Sequence, residues 1–434
     1  MSIPTYAAYK NSGVEWLGTI PADWVVNPIK AIARVVNGYP FDAGLFDQSE
    51  GFPLVRIRDL NQTVSDTRYK GEFVKEAAID SNDVLIGMDG DFNVGRWRGE
   101  VPALLNQRLC CVRTESSTMT RYLEYVLPTP LKAINDITYS TTVKHLSSFD
   151  VLKVRVATPQ ADAEVAEIVW FLDHETAKID ALIEEQRRLI QLLKEKRQTV
   201  ISHAVTKGLN SNASMKDSGV KWLGQVPKHW MSARLKDLFR QTKRQGYEQH
   251  EVLSVYRDFG VIKKDSRTDN HNKTPEDLSS YQLVEAGDLV INKMKAWQGS
   301  LGISALNGIT SPDYVVFSPL HKEYSSYIHL LLRSQVMVST YLSISNGIRL
   351  AQWRVEPESF LSQSVFLPPL DEQLAITVSL EREMNKMTAL ISEANVGILL
   401  LQERRTALIS AAVTGKIDVR GFVASKSPEL LEAA

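Results

Sequence analysis

Two cysteines in 434 residues, adjacent as Cys110 and Cys111, leave little material for covalent or metal staples. Neighbours on a strand point to opposite faces, which disfavours a disulfide between them. Two thiols build a zinc site only with well-placed histidines, and the eight histidines are scattered. No metal site is expected. No apolar run approaches the roughly 18 to 20 residues that span a bilayer. The stretch Met1 to Lys10 is too polar for the apolar region of a signal peptide. The expectation is a chain with no membrane contact in a reducing, cytoplasmic setting. An excess of one charge is also missing, since Lys+Arg 50 against Asp+Glu 51 leaves a net charge of -1. A protein that coats nucleic acid unaided carries a basic surplus. Any basic surface here is therefore local, or shared with a partner.

Catalytic signatures are missing as well. An amino-methyltransferase needs Asn or Asp, then Pro-Pro, then an aromatic; Leu367-Pro368-Pro369-Leu370 lacks both flanks. There is no G-x-x-x-x-G-K-[ST] loop, and no glycine fingerprint after a strand that would suit a nucleotide. Ser311-Pro312-Asp313 resembles part of a nuclease site, but no acidic-x-Lys strand follows to complete it. The chain is expected to hold no catalytic residue and no cofactor of its own.

What is present is a long internal repeat. Residues 10–30 read KNSGVEWLGTIPADWVVNPIK and residues 216–236 read KDSGVKWLGQVPKHWMSARLK, with 10 of 21 positions identical. The shared set includes Ser12/Ser218, Gly13/Gly219, Trp16/Trp222, Gly18/Gly224, Pro21/Pro227 and Trp24/Trp230. The paired tryptophans read as core anchors. A second block closes each half: EKRQTVISHAVT from Glu195 and ERRTALISAAVT from Glu403. A period above 200 residues marks a duplicated module rather than a solenoid. Between the blocks, Asn82-Asp83-Val84-Leu85-Ile86 matches Gly287-Asp288-Leu289-Val290-Ile291, and Asn106 to Val112 matches SPDYVVF from Ser311 to Phe317; all four read as strands. Conserved-looking ends around divergent middles suggest a constant frame presenting two different surfaces.

Each half then turns helical, with Pro159 and Pro368-Pro369, followed by acidic residues, as the starts. Val165, Val169, Leu172, Thr176, Ile179, Ile183, Ile190, Leu193, Val200 and Ala204 follow alternating three-four spacing, interrupted by Gln186 and Arg197. Leu374, Val378, Met384, Met387, Ile391, Ala394, Ile398, Leu401, Leu408 and Ala412 repeat the pattern, interrupted by Arg405. These are coiled-coil seams of about forty residues. The matched arginines are either register devices or stems reaching to solvent. Only Lys207 to Met215 separates the first helix from the second module, which puts that module at the helix's far end. The two helices are then antiparallel along a rod of roughly 60 Å, and the halves are related by a pseudo-twofold axis. The expected division is 1–158 and 209–367 as modules, 159–208 and 368–416 as helical regions, and 417–434 as a tail. The fold class is α/β (α+β).

Two unlike heads on one rod suit a bipartite DNA site with an unread spacer. The blocks KNSGVEWLG and KDSGVKWLG, the helix start Pro368-Pro369-Leu370-Asp371-Glu372-Gln373, the SPDYVVF strand and the ISHAVT/ISAAVT exits together resemble the specificity subunit of type I restriction-modification enzymes. The likeness covers nearly the whole chain. Thr158-Pro159-Gln160-Ala161-Asp162 departs from the pattern by lacking the second proline and the Glu-Gln pair. The resemblance implies two target recognition domains of α/β character that read double-stranded DNA, and paired helices that hold two methyltransferase subunits. It implies S-adenosylmethionine on those partners for adenine N6 methylation, with ATP and Mg²⁺ on two restriction subunits. Alternatives are a specificity protein of another phage-defence system, or a coiled-coil scaffold without DNA.

Candidate DNA-contacting residues follow from residue type, since bidentate arginine on guanine is the commonest specific contact. In the first module they are Arg56, Arg58 and Asp59 within LVRIRDLNQ, then Asn93, Arg96 and Arg98 in the Gly-rich stretch Gly87 to Arg98. Asn106, Gln107 and Arg108 come next, then Lys144 and His145. In the second module they are Asn292, Lys293, Lys295 and Gln298 in the matching loop, with Arg257, Tyr314, Arg349, Gln352 and Arg354. The bland readings are an ordinary charged strand for the first group, a plain hairpin for the second, a structural His145, and a core Trp297.

Overall fold

The computed structural model describes residues 4–81, 83–137, 144–220, 223–267, 274–347 and 353–422. The chain forms two compact units, Met1–Glu185 with Gly397–Ala434, and Gln186–Val396. Both divisions fall inside long helices, Asp162–Lys207 and Leu370–Val413. Each unit therefore holds one module, the start of the helix that leaves it, and the end of the other helix.

The same four-stranded antiparallel sheet recurs in both units. In the first the order is Val94–Gly95, Val84–Gly87, Leu109–Arg113, Arg34–Asn37. In the second it is Leu301–Ile303, Leu289–Asn292, Tyr314–Pro319, Phe239–Thr242. Alternation along these strands feeds a core on each face. Val84, Ile86, Cys110 and Val112 enter the main core, while Leu85, Leu109 and Cys111 enter a smaller one behind it. Leu289, Ile291, Val315 and Phe317 do the same in the second unit, opposite Val290 and Val316. Cys110 and Cys111 thus face opposite ways, are both free, and burial pushes the Cys110 thiol up to about 12. The first unit adds a five-stranded sheet in which Ala103–Leu105 runs parallel to Phe52–Val55. The architecture is mixed α/β.

One strand expectation needs correction. Asn106 to Arg108 is a turn, and the strand begins at Leu109. Three polar residues in a row have no apolar face to bury, so the backbone reverses there instead.

The repeated blocks fold alike. Ser12 N–H donates to Gly18 O and Ser218 N–H to Gly224 O, each at 2.9 Å. Gly18 and Gly224 close these turns at φ of 61° and 64°, a left-handed conformation open to glycine. Trp24 and Trp230 are buried anchors, whereas Trp16 is half-buried and Trp222 lies outside the described residues. The Trp24 indole donates to Glu164 Oε1 at 2.8 Å, and the Trp230 indole to Glu372 Oε1 at 3.2 Å. Each carboxylate sits in the first turn of the helix leaving its module, where the helix dipole favours an acid. Glu164 therefore stands where Glu372 stands. The Glu-Gln pair expected to be lost at the first helix start loses only its glutamine, with Val165 in place of Gln373.

The helix ends dock in a matching way. Tyr122 Oη donates to Val413 O at 3.4 Å in the first unit, and Tyr327 Oη to Val205 O at 3.2 Å in the second. Val205 and Val413 belong to the two ISxAVT exits, so each module grips the end of the helix that starts at the other. The first seam keeps its expected register, with Val165, Val169, Leu172, Thr176, Ile179 and Ile183 buried and Ile190, Leu193 and Val200 half-buried. The second is corrected at its start: Leu374 and Val378 are exposed, while Gln373, Thr377 and Leu380 occupy the inward face. Gln373 explains the shift, since its amide donates to Pro368 O and accepts from Tyr324 N–H. A polar residue bonded to the module outcompetes an apolar one that finds no partner. Arg197 and Arg405 have half-buried stems and reach the facing helix, the first to Met384 Sδ at 3.8 Å, the second to Asp180 at 2.9 Å.

The expected tail also changes. Val419 is buried in the first unit's core with Ile417 and Phe422 against it, and Asp418 N–H donates to Pro4 O at 2.7 Å.

Candidate nucleic-acid interface

In the first module, backbone hydrogen bonds string together segments far apart in sequence. Asn106 N–H bonds Val55 O at 3.0 Å, Asn61 N–H bonds Arg96 O at 2.8 Å, and Arg98 N–H bonds Gln62 O at 3.2 Å. Met88 N–H bonds Arg108 O at 2.9 Å, Gly90 N–H bonds Lys144 O at 3.1 Å, and Leu146 N–H bonds Met88 O at 2.7 Å. The Gly-rich stretch is a hairpin, with Val94 opposite Ile86 and Gly95 opposite Leu85. Its tip is fixed: Phe92 takes φ of 52°, a conformation costing about 1 kcal/mol or more, and its ring is buried in the main core.

The side chains on this frame divide sharply. Asn93, Arg98 and Gln107 are exposed, Asn106 is half-buried, and Arg108 reaches out beside the hairpin tip. Arg108 Nη1 donates to Asp89 Oδ2 at 2.8 Å, and His145 Nδ1 lies 2.8 Å from Asp89 Oδ1. Arg56 lies over the Phe46 ring at 5.1 Å, and Arg58 is largely exposed beside Thr67.

Three first-module candidates are corrected. Asp59 is buried; its carboxylate accepts from Arg56 N–H at 2.9 Å and Ser65 Oγ at 3.1 Å, so it caps its own turn. Arg96 turns inward to pair with Glu124 at 2.7 Å, which also pairs with Arg121. Arg121 in turn reaches Asp173 on the first long helix, which ties the hairpin to that helix. The Lys144 ammonium donates to Asn135 O at 2.5 Å and Oδ1 at 3.0 Å, so it is engaged within the module and half-buried.

In the second module, Asn292 to Gly299 is a tight loop with a single 3₁₀ turn at Ala296–Gln298. Lys295 and Gln298 are exposed, Lys293 is half-buried, and Asn292 Oδ1 accepts from Met294 N–H at 3.1 Å. Val355 N–H donates to Lys293 O at 3.1 Å, which brings Arg354 to the same loop. Arg354 pairs with Glu356 at 2.7 Å. Trp297 is half-buried, not core, and meets Trp353 edge-to-face at 5.9 Å. The Arg257 stem passes over Gly299, where a Cβ would lie 3.8 Å from its Cγ. Tyr314 is corrected: it packs half-buried against the smaller core, and burial raises its phenol above the ordinary value. Arg349 and Gln352 lie outside the described residues.

Sequence reading missed Tyr39, which is exposed and bridges backbone to Asn106 beside the Asn106–Arg108 turn. It also missed Asp89, Trp353 and Arg333. The Gly38-Tyr39-Pro40 run was a usable signal, because a Cβ on Gly38 would collide with Asn106 O at 1.9 Å. Arg333 donates to Tyr256 O at 3.3 Å, Leu301 O at 2.7 Å and Arg257 O at 2.6 Å, so a half-buried cation holds the turn that carries Arg257.

His329 packs under the same turn, 2.9 Å from where a Cβ on Gly260 would lie. Burial, with Arg333 adding to it, pushes its imidazole down to about 4 from 6.5. Below pH 6.5 the unfolded chain binds this proton and the folded one does not, so stability falls with pH. The second unit should lose on the order of 2 kcal/mol between pH 6.5 and 4 through this group. Chemical denaturation across that range should show a flatter pH slope for His329→Gln than for the wild type; equal slopes would remove His329 as the cause.

Among the described residues no group of three or more His, Cys, Asp or Glu could hold a metal, and no helix is long and apolar enough to cross a membrane. Each unit thus carries a like four-stranded sheet with unlike loops that bear cationic and amide side chains. Residues 21–192 match the family described as the type I restriction modification DNA specificity domain. The chain is 24% identical to the type I restriction enzyme EcoBI specificity subunit of Escherichia coli, over 96% of this chain and 91% of that protein. The chain is thus similar over nearly its whole length to a type I restriction enzyme specificity subunit, and its first module carries the matching DNA specificity domain. Its fold is similar, at TM-score 0.64 and 14% identity, to a chain in a structure concerned with complex assembly and conformational transition of the type I R-M system, covering 91% of this chain and 98% of that one. The HsdS subunit of Thermoanaerobacter tengcongensis matches at TM-score 0.47 and 13% identity, covering 92% and 98%.

Proposed function

We propose that this specificity subunit reads a bipartite site on double-stranded DNA, one half-site per module, and contributes no catalytic group. The observation that carries this reading is the recurrence of one sheet and one helix-docking frame under two unlike sets of loops. A repeated frame conserves geometry; divergent loops change what is read. The two long helices form an antiparallel coiled coil relating the halves by a pseudo-twofold axis, which the arginine and tyrosine contacts within each unit support. The coil holds two methyltransferase subunits, which bring S-adenosylmethionine, and the assembly recruits two restriction subunits that use ATP and Mg²⁺. Partners also supply the phosphate-neutralising charge that a net charge of -1 withholds. The assembly works in the cytoplasm.

The purified chain alone should transfer no label from S-adenosylmethionine to DNA and cut none. Co-expressed with a methyltransferase subunit from the same locus, it should give adenine methylation at an interrupted motif. Transfer by the chain free of its partner would overturn the non-catalytic reading.

A further inference from the structure

Asp89 is out of place on a surface that meets phosphates. A carboxylate at the tip of a DNA-facing hairpin is repelled unless it is neutralised by cations that themselves face the DNA. Two groups face it. Arg108 Nη1 approaches from the turn after Ala103–Leu105, and His145 Nδ1 approaches from the segment bridged to Asp89 along the backbone, both at 2.8 Å. The Asp89 side chain is 16% exposed, while Arg108 and His145 are each 65% exposed. The acid is thus withdrawn behind its two partners.

An arginine loses much rotamer freedom when it is held in one geometry. A carboxylate that holds it beforehand removes most of that cost from the binding step. The Asp89 bond occupies Nη1 and leaves Nε and Nη2, the pair of donors that forms a fork for guanine O6 and N7. The backbone supports the same alignment, because Met88 N–H holds Arg108 O at 2.9 Å on the residue preceding Asp89.

We propose that Asp89 is a positioning residue for Arg108, fixing the guanidinium that reads one base pair of the first half-site. The inference rests on the reading of the first module as a DNA reader. It is tested in the complete complex with the methyltransferase subunit, on DNA carrying single base-pair changes across both half-sites. Asp89→Asn and Arg108→Lys should relax preference at the same base pair by on the order of 10-fold, and leave the second half-site unchanged. A simple folding defect would lower activity on every substrate without changing the motif. Asp89→Glu, which keeps the charge but displaces it, should relax the same position, and melting curves of each variant confirm the fold. In an Arg108→Ala background, Asp89→Asn should have no further effect. Additive losses would overturn the positioning role, as would an unchanged preference for Asp89→Asn when Arg108→Ala relaxes it. If Arg108→Ala itself leaves the motif intact, Arg108 is not a reader, and the assignment of this loop to DNA fails along with the inference.

Discussion

Exchanging residues 40–145 for the equivalent segment of another type I specificity subunit should replace one half of the methylated motif and leave the other half as it was. The segment holds every exposed first-module candidate, from Arg56 to His145, together with Asp89. It leaves untouched the frame at its edges: the paired strands Val25–Pro28 and Arg155–Thr158, the buried Trp24, and Glu164. The structural demands on the donor include a tyrosine at the place of Tyr122, to meet Val413 O at the helix end, and a cation at the place of Arg121, to meet Asp173. Tyr327 shows that the second module already meets the first demand with a different sequence around it. Each correct base contact is worth about 1–3 kcal/mol, so several changed at once alter specificity by orders of magnitude. The measurement is the methylome of cells carrying the chimaera with its methyltransferase partner. If both halves of the motif changed together, the modules would not read independently.

Glu164→Ala should lower the melting temperature of the first unit by roughly 5–10 °C, the largest single-residue effect expected. The Glu164 carboxylate is buried and accepts from the Trp24 indole at 2.8 Å and from Tyr6 Oη at 2.7 Å. Removing it strands two buried donors, at about 1–3 kcal/mol each, and deletes an acid from the first helical turn. A unit of this size shifts by about 2–4 °C per kcal/mol. Glu164→Gln keeps an acceptor in place and should shift the transition by less than half as much. The Glu372→Ala change in the second unit removes a longer bond to Trp230 at 3.2 Å and a more exposed contact to His229, so its effect should be smaller. Calorimetry of the three variants decides the matter, and equal transitions for Glu164→Ala and wild type would mean that the latch does not hold the module to its helix.

The legible parts of this protein were those where a local rule is also the global one. The heptad of the first seam survived intact because apolar residues at three-four spacing have a single way to be buried on a helix. The paired tryptophan blocks predicted two like modules because the same residues meet the same local turns, with Gly13 and Gly18, and Gly219 and Gly224, taking the same left-handed conformations. The second seam misled at its start because burial there is decided by a hydrogen bond from Gln373 to the module, which apolar periodicity cannot register. The reading loops were legible as segments but not as side chains. Arg96, Arg98 and Arg108 are alike in sequence. Arg96 turns inward to Glu124, twenty-eight positions away in the chain, while Arg108 is held outward by Asp89.

The sequence by itself determined the repeated blocks, the two long helices and the likeness to type I specificity subunits. These follow from periodicity and from repeated words, which need no knowledge of contacts. Only the tertiary structure decided which cations face outward, which acid they meet, and which glutamate bonds the buried tryptophan of each module. Those choices are made between groups brought together across tens to hundreds of residues, where desolvation cost and a single available partner outweigh residue type.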